Sequence, residues 1–131
     1  MYSILFPYEE QLWNLQEENG FNSRIIASMP EVLVMEWTFF DAGYVIPVHE
    51  HYHVQISYIA KGSAKAILAD GTEKLMKAGD AVAFAPNEAH SVITQEPETR
   101  IIDVFNPVRL DHLANHREVS DNERPVNPWK S

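Results

Sequence analysis

Short runs of β-branched and aromatic residues alternate with turn residues about every ten positions between residues 25 and 105. The runs cover residues 32–40, 48–60, 64–68, 73–76, 81–85, 90–94 and 100–105. Many short strands at even spacing are typical of an all-β sandwich or barrel. Asp70-Gly71 lies between two of the runs and predicts a hairpin, because glycine tolerates the positive φ that a tight turn requires.

The segments that flank this region are polar. Residues 7–20 contain few apolar side chains and predict a short helix that ends at Gly20. Residues 111–116 predict one or two further helical turns, and the tail after them has little to bury. That tail either is disordered or lies across a partner subunit through Trp129. The expected organisation is an extension over residues 1–24, one barrel domain over 25–110, and a helical turn with a polar tail over 111–131.

Length and charge narrow the classes of partner. The chain has 131 residues, which suits one domain, and its formal net charge is −9. An acidic surface disfavours nucleic acid and anionic membranes. No apolar run is long enough to cross a bilayer, and the first residues lack the basic start of a signal peptide, so we expect a cytoplasmic protein. Cysteine is absent, so any metal ion must be bound by nitrogen and oxygen ligands.

Three histidines and one glutamine have the spacing of a metal site. Alternate residues of a strand share a face, so His49, His51 and Gln55 are expected on one face. His90 opens another predicted strand, and a neighbouring position in a barrel would bring it to the same place. These four residues predict one divalent transition metal ion, with Ni, Zn, Fe, Mn and Co all compatible. His53 has the same parity and is a fifth donor, a proton shuttle or a rim residue.

The segment from Gly43 to Gly62 resembles the first cupin motif, G-x5-H-x-H-x3/4-E-x6-G, with Gln55 in place of the usual Glu. The second cupin motif is matched in part: Gly79 and His90 keep their spacing, and Ala85, Asn87 and Thr94 replace its Pro, Gly and Asn. Asn is the next best residue after Gly for a left-handed turn. The resemblance implies a cupin, which is a jelly-roll-like small β-barrel that holds a metal ion inside.

Gln55 affects the chemistry that such an ion could perform. Three neutral imidazoles and a neutral amide leave the +2 charge uncompensated, which favours Lewis-acid catalysis. Non-haem iron oxygenases usually use two His and a carboxylate, so oxygen chemistry is the second hypothesis. A cupin that binds a small molecule without turnover is the third.

Residues 103–111 resemble D-x-F-(S/N)-P-x-R-x-D, a segment of the small cupins of pectin and alginate breakdown, which convert 4,5-unsaturated uronates to open-chain keto forms. The resemblance implies that Asp103, Phe105 and Arg109 contact the substrate. Asp103 and Arg109 are otherwise an ion pair at the barrel end, and Phe105 is otherwise core. The three residues between His51 and Gln55 are one fewer than those cupins usually have, and match isomerase and cyclase cupins of antibiotic and polyketide biosynthesis instead.

The leading hypothesis is a metal-dependent isomerase or tautomerase that acts on a small enol or keto acid, possibly an unsaturated uronate. Asp103, or alternatively His53, would move the proton, Arg109 would bind the substrate carboxylate, and Phe105 would exclude water. A homodimer is expected because exposed edge strands must be covered. Further side chains are assigned by type: Trp37, Tyr44 and Tyr58 as pocket lining or packing, and His112 and His116 as solvated.

Overall fold

The computed structural model describes residues 3–49 and 51–130, except for the side chains of Val48 and His49. Strands dominate this part of the chain, as the alternating pattern predicted. They are β1 Trp13–Gln16, β2 Phe21–Met29, β3 Val32–Phe39, β4 Val45–His49, β5 Val54–Lys61, β6 Ser63–Leu68, β7 Glu73–Lys77, β8 Ala81–Phe84, β9 His90–Thr94 and β10 Thr99–Asn106. One short α-helix, α1 (Leu110–Ala114), follows the last strand.

The strands form two sheets that pack face to face. One sheet has the order β1-β2-β3-β10-β5-β8, and the other has the order β4-β9-β6-β7. Their core contains Phe39, Ile59 and Ile101 from the first sheet and Ala66 and Val92 from the second. Inward and outward residues alternate along β5 and β10, as expected for strands with one buried face. The prediction of an all-β, jelly-roll-like fold is confirmed.

The predicted run 48–60 is two strands rather than one, and they belong to different sheets. β4 ends at His49 in the smaller sheet, whereas Gln55 lies on β5 in the larger sheet. His51 lies in the connection between them. The argument that these three residues share one face of a single strand was therefore wrong. They can still converge, because β4 and β5 are on opposite sides of the space between the sheets.

The predicted helix over residues 7–20 is also wrong. Two 3₁₀ turns, Tyr8–Glu10 and Glu17–Asn19, flank β1, which adds a strand to the edge of the larger sheet. Trp13 exchanges backbone hydrogen bonds with Arg117, at N–O distances of 2.8 and 2.9 Å. Pairing on both sides outweighs the weak helical preference of so polar a segment. Gly20, where the helix was predicted to end, closes the second 3₁₀ turn instead, with φ 94°.

The C-terminal segment folds back on its own chain, which corrects the expectation that it is disordered or lies across a partner. Trp129 donates its indole N–H to Glu36 at 3.0 Å, and the Tyr8 hydroxyl donates to the Pro125 carbonyl at 2.6 Å. Glu36 is buried on the outer side of the larger sheet, where Arg24 also pairs with it at 2.9 Å. The tail thus covers a buried charge. Among the described residues, no helix is long and apolar enough to span a bilayer.

Candidate metal and substrate site

The side-chain amide of Gln55 is held in one orientation by two acceptors. Its Nε2 donates to Ser57 Oγ at 3.0 Å and to Asp103 Oδ1 at 3.3 Å. Only an amide N–H₂ can make both bonds, so the amide oxygen is the atom that points away from them. That oxygen lies 2.9 Å from Nε2 of His51.

Backbone carbonyl oxygens lie beside Nδ1 of two histidines. Nδ1 of His51 lies 3.1 Å from the carbonyl oxygen of His53, and Nδ1 of His90 lies 2.9 Å from that of Glu88. A carbonyl oxygen only accepts, so these contacts favour the tautomer with the proton on Nδ1. In a neutral ring the other nitrogen, Nε2, then has the lone pair. This is the usual arrangement of metal-binding histidines, in which the outer nitrogen donates to a carbonyl or carboxylate.

The positions of His51 and Gln55 fit a shared metal ion. The ring of His51 meets an acceptor oxygen at each nitrogen, that of His53 at Nδ1 and that of Gln55 at Nε2, and a neutral ring can donate its one proton to only one of them. A cation between Nε2 and the amide oxygen of Gln55 would remove this conflict. Two atoms bonded to one ion at about 2.1 Å and at right angles lie about 3.0 Å apart, in agreement with the 2.9 Å between these two atoms.

The three histidines predicted to bind the metal are His49, His51 and His90. The ring centroids of His51 and His90 are 5.7 Å apart. The predicted ligand His49 ends β4 opposite His90 in the strand register, but its side chain lies outside the described residues. Within the described part of the chain, no group of three His, Asp or Glu side chains could hold a metal ion. The assignment of His49 therefore stays a prediction.

A cavity of about 280 Å³ lies between the two sheets, and Gln55 and His90 are among the residues that line it. The volume is near the lower end of the roughly 300–1,000 Å³ that small-molecule pockets occupy. Its apolar walls come from both sheets and include Phe21, Trp37, Phe39, Ile46, Met76 and Val92. Its polar lining consists of Gln55, Ser57, His90, Asp103, Arg109 and His112. An apolar pocket with a few convergent polar groups is the usual form of a site for a small polar ligand.

Asp103 is buried on the inner face of β10, where alternation placed it. Its Oδ1 accepts from Ser57 Oγ at 2.5 Å and from Gln55 Nε2 at 3.3 Å. A buried carboxylate needs such donors, because its loss of hydration is otherwise expensive. One amide therefore joins a predicted metal ligand to the predicted proton-transfer residue.

Phe105 lies at the centre of the polar groups rather than in the core alone. The guanidinium of Arg109 lies over its ring at 5.0 Å, and the ring of His51 is 5.8 Å away. Arg109 is mostly buried and makes a bidentate ion pair with the exposed Asp111, at 2.6 and 3.2 Å. This guanidinium lines the cavity, and guanidinium groups bind carboxylates bidentately.

Comparison with known proteins identifies the family. Residues 36–105, slightly more than half of the chain, match the sequence model of the cupin domain. The chain belongs to the cupin family. This cupin is 35 % identical over 96 residues to the pectin degradation protein KdgF of Dickeya dadantii strain 3937, covering 72 % of this chain and 86 % of that protein.

Solved structures agree with this assignment. KdgF from Halomonas sp. superposes with a TM-score of 0.73 at 29 % identity, over 84 % of this cupin and 99 % of that chain. An RmlC-like cupin from Shewanella frigidimarina superposes with a TM-score of 0.72 at 25 % identity, over 86 % and 96 % of the two chains. Proteins of this family typically bind a divalent metal ion.

Two histidines that were expected to be solvated are not. His116 is buried, and its Nε2 lies 2.9 Å from Ser23 Oγ, so it connects the C-terminal segment to β2. Burial lowers the pKa of His116. His112 lies on α1 and lines the cavity of this cupin. The sequence carried a signal for His112: it is three residues after Arg109, and such positions share one face of a helical turn.

The structure places some of the other residues assigned from the sequence at the cavity and others away from it. Trp37 and Tyr44 line the cavity, whereas Tyr58 points outward from β5 and is 43 % exposed. His53 is buried and is not among the described residues that line the cavity. Its Nε2 lies 3.3 Å from the Val108 carbonyl oxygen, and its Nδ1 has no hydrogen-bond partner in the described part of the chain. Of the two residues proposed to move the proton, Asp103 therefore lines the cavity, whereas His53 is not among the described residues that do.

The left-handed turn predicted for the second motif is present. Asn87 has φ 62°, and its backbone N–H donates to the His51 carbonyl at 2.6 Å. The turn therefore joins the segment before β9 to the β4–β5 connection. Since His90 follows within three residues, this contact helps to set the distance between the two histidines.

Proposed function

We propose that this cupin is a metal-dependent isomerase that converts the enol of a small unsaturated sugar acid, the 4,5-unsaturated uronate class, to its keto form. The observation that carries the proposal is the hydrogen bond between Gln55 and Asp103, which places a carboxylate directly beside a predicted metal ligand in the wall of the cavity. The name of the Dickeya relative supports the substrate class, since pectin is a polymer of a uronic acid.

Arg109 provides the contact for the substrate carboxylate. Its guanidinium lines the cavity and is already held by Asp111 on one side and by the ring of Phe105 on another. Such a preorganised fork loses little side-chain entropy when it binds a carboxylate. The net charge of −9 opposes the approach of an anion, but screening over about 8–10 Å leaves the local cation dominant.

Asp103 moves the proton. In the ketonisation the C1 hydroxyl loses its proton, the ring bond between C1 and O5 breaks to leave an aldehyde at C1, and C4 gains a proton as the C4=C5 double bond gives way to a C5 carbonyl, so no co-reactant is consumed. As a carboxylate, Asp103 can accept the hydroxyl proton and return a proton to carbon. Ser57 and Gln55 hold the carboxylate in position during both transfers. The apolar walls of the cavity exclude water that would compete for these bonds.

His49, His51, Gln55 and His90 are the residues that would hold the metal ion. A divalent ion bound there would supply Lewis-acid stabilisation of negative charge on the substrate oxygen. The carbonyl oxygens of His53 and Glu88 lie beside Nδ1 of His51 and His90, which favours the tautomer that would present Nε2 to such an ion.

Ultraviolet absorbance of 4,5-unsaturated galacturonate tests the proposal. We expect metal-loaded protein to accelerate loss of the conjugated enol band, and a chelator to abolish the acceleration. Asp103→Asn and Arg109→Gln should each lose at least about a hundredfold in kcat/KM, in line with the loss of a general base or a bidentate clamp. Arg117→Gln is the matched control, because Arg117 is also an arginine paired bidentately with an acid but lies on the surface.

The proposal fails if metal-loaded protein does not exceed the spontaneous rate. Full activity of both Asp103→Asn and Arg109→Gln would reject the assigned roles while leaving the reaction itself in place. Oxygen uptake by the iron-loaded protein that is coupled to product would replace the isomerase with an oxygenase.

We further propose a homodimer. The outer face of β5 carries Val54, Ile56 and Tyr58, which are 38 %, 44 % and 43 % exposed. Ile102 and Val104 of β10 pair beside Tyr58 and Ile56 and extend the apolar surface. Exposed apolar surface of this kind is typical of a protein interface. Light scattering of Ile56→Glu should then show a monomer where the wild type shows a dimer.

A further inference from the structure

The polar lining of the cavity includes a histidine to which the proposed reaction assigns no role, His112. This residue lies on α1, one helical turn after Arg109, and both side chains line the cavity. The ring is held by two aromatic contacts: edge-on to Trp37 at 5.4 Å, and against Phe105 at 5.7 Å. The imidazole is therefore fixed in position before any ligand arrives.

Neither ring nitrogen of His112 makes a hydrogen bond to the part of the chain that the structure describes. Nδ1 is buried and has no hydrogen-bond partner among the described residues. Nε2 makes no hydrogen bond to a described side chain or carbonyl, and it is not one of the fully buried nitrogens. Buried or half-buried histidines usually satisfy at least one nitrogen, so a fixed ring that satisfies neither calls for an explanation. A ligand in the cavity would supply the partner to Nε2.

We propose that Nε2 of His112 is a hydrogen-bond contact for an oxygen of the bound sugar acid, next to the carboxylate held by Arg109. This inference rests on the proposed function for its substrate class. Burial, together with the charge of Arg109, lowers the pKa of His112 to about 4. The ring is thus neutral at pH 7. It offers a directional hydrogen bond without adding a second cation beside Arg109, and so contributes to orientation rather than to charge neutralisation.

Three substitutions separate a ligand contact from a packing role. His112→Phe keeps an aromatic ring against Trp37 and Phe105 but removes both nitrogens. His112→Gln places an amide N–H₂ near the position of Nε2, and His112→Asn places one near that of Nδ1. With unsaturated galacturonate, His112→Phe should raise KM about 10- to 100-fold, the effect of one lost buried hydrogen bond, with kcat within about threefold. His112→Gln should restore most of the KM, and His112→Asn should not.

A binding measurement separates failure of this inference from failure of the proposed function. Calorimetry with saturated galacturonate, which carries the carboxylate and hydroxyls but cannot ketonise, should show the same order of Kd: wild type, His112→Gln, then His112→Asn and His112→Phe. That order without turnover by the wild type would support the contact and reject the isomerase. Turnover with equal KM and Kd for wild type and His112→Phe would overturn the contact alone. Galacturonate that fails to bind the wild type would overturn the contact too.

Discussion

Removal of the Ser57 hydroxyl tests whether the hydrogen bonds around Asp103 serve proton transfer. Ser57 is buried, donates to Asp103 Oδ1 at 2.5 Å, and accepts from Gln55 Nε2 at 3.0 Å. Ser57→Ala removes both bonds and keeps the hydrogen bond from Gln55 Nε2 to Asp103 Oδ1. The substitution adds no charge and no bulk, so its effects can be traced to the hydroxyl.

The expected size follows from the charge on the acceptor. A hydrogen bond to a charged group contributes about 1.5–3 kcal/mol, so we expect Ser57→Ala to lower the free energy of unfolding by about 2 kcal/mol. For a chain of 131 residues this corresponds to a decrease of about 7 °C in Tm. Since the bond favours the charged carboxylate, its loss should also move the acid limb of the kcat–pH profile up by about one pH unit.

The assay is the ultraviolet loss of the enol band from pH 4 to 8, together with thermal unfolding. Ser63→Ala is the matched control: Ser63 is also buried and donates to a carboxylate, Glu96, at 2.6 Å, but lies outside the cavity lining. Both variants should lose stability, and only Ser57→Ala should shift the acid limb. An unshifted limb in Ser57→Ala, alongside the expected loss of stability, would refute the role assigned to this bond.

Three further predictions concern charge and burial. Gln55→Glu puts a second carboxylate about 3.3 Å from Asp103. At an effective dielectric of 20 the repulsion between the two charges is about 5 kcal/mol, so the variant should be destabilised at pH 7 in the presence of a chelator. Added metal or lower pH should restore its stability. The pKa of His112 is lowered to about 4, below its value near 6.5 in the unfolded chain, so the unfolded state binds the extra proton between these values. Protonation of His112 should thus lower the free energy of unfolding of chelated protein by up to about 3 kcal/mol as pH drops from 6.5 to 4. His112→Phe should lose this part of the pH dependence and keep the part that comes from His116. Trp129→Phe removes the indole donor to buried Glu36 and should cost about 1–2 kcal/mol in thermal unfolding.

Each of these has a control and a result that counts against it. Gln95→Glu changes an exposed glutamine by the same chemistry, and an equal loss of stability there would remove Asp103 from the explanation. A stability profile of His112→Phe that parallels the wild type through acid would assign the slope to other histidines. Val126→Ala alters a tail residue that is 90 % exposed, and should change stability by under about 0.5 kcal/mol. If it costs as much as Trp129→Phe, the Glu36 contact is not the cause.

Much of the fold was predictable because its strands have one buried face. Turn residues such as Asp70-Gly71 and the alternation along β10 are local signals, and both are realised. β1 could not be recognised locally, because its stability comes from pairing with β2 and with the distant Arg117. The division of residues 48–60 between two sheets was hidden for a similar reason: the sheet that each strand joins depends on partners far along the chain, β9 for β4 and β10 for β5.

The residues of the candidate site were likewise predictable only where the signal is local in the sequence. His51, Gln55 and His90 were predicted by type and spacing, although the single-strand argument for them fails. The inward position of Asp103 followed from strand period alone. The role of Ser57 as the donor between Gln55 and Asp103 could not be predicted, because it depends on the register of β5 against β10.

Proton magnetic resonance in D₂O tests the central claim most directly, since the claim is that residues of the cavity deliver a proton to one face of the substrate. Metal-loaded protein is mixed with 4,5-unsaturated galacturonate, and the keto product is examined at C4. The account predicts accelerated formation of product with a single deuterium at C4 in one configuration, and loss of both the acceleration and the stereochemistry in Asp103→Asn. Product that forms at the spontaneous rate, or with deuterium equally in both configurations, would contradict it.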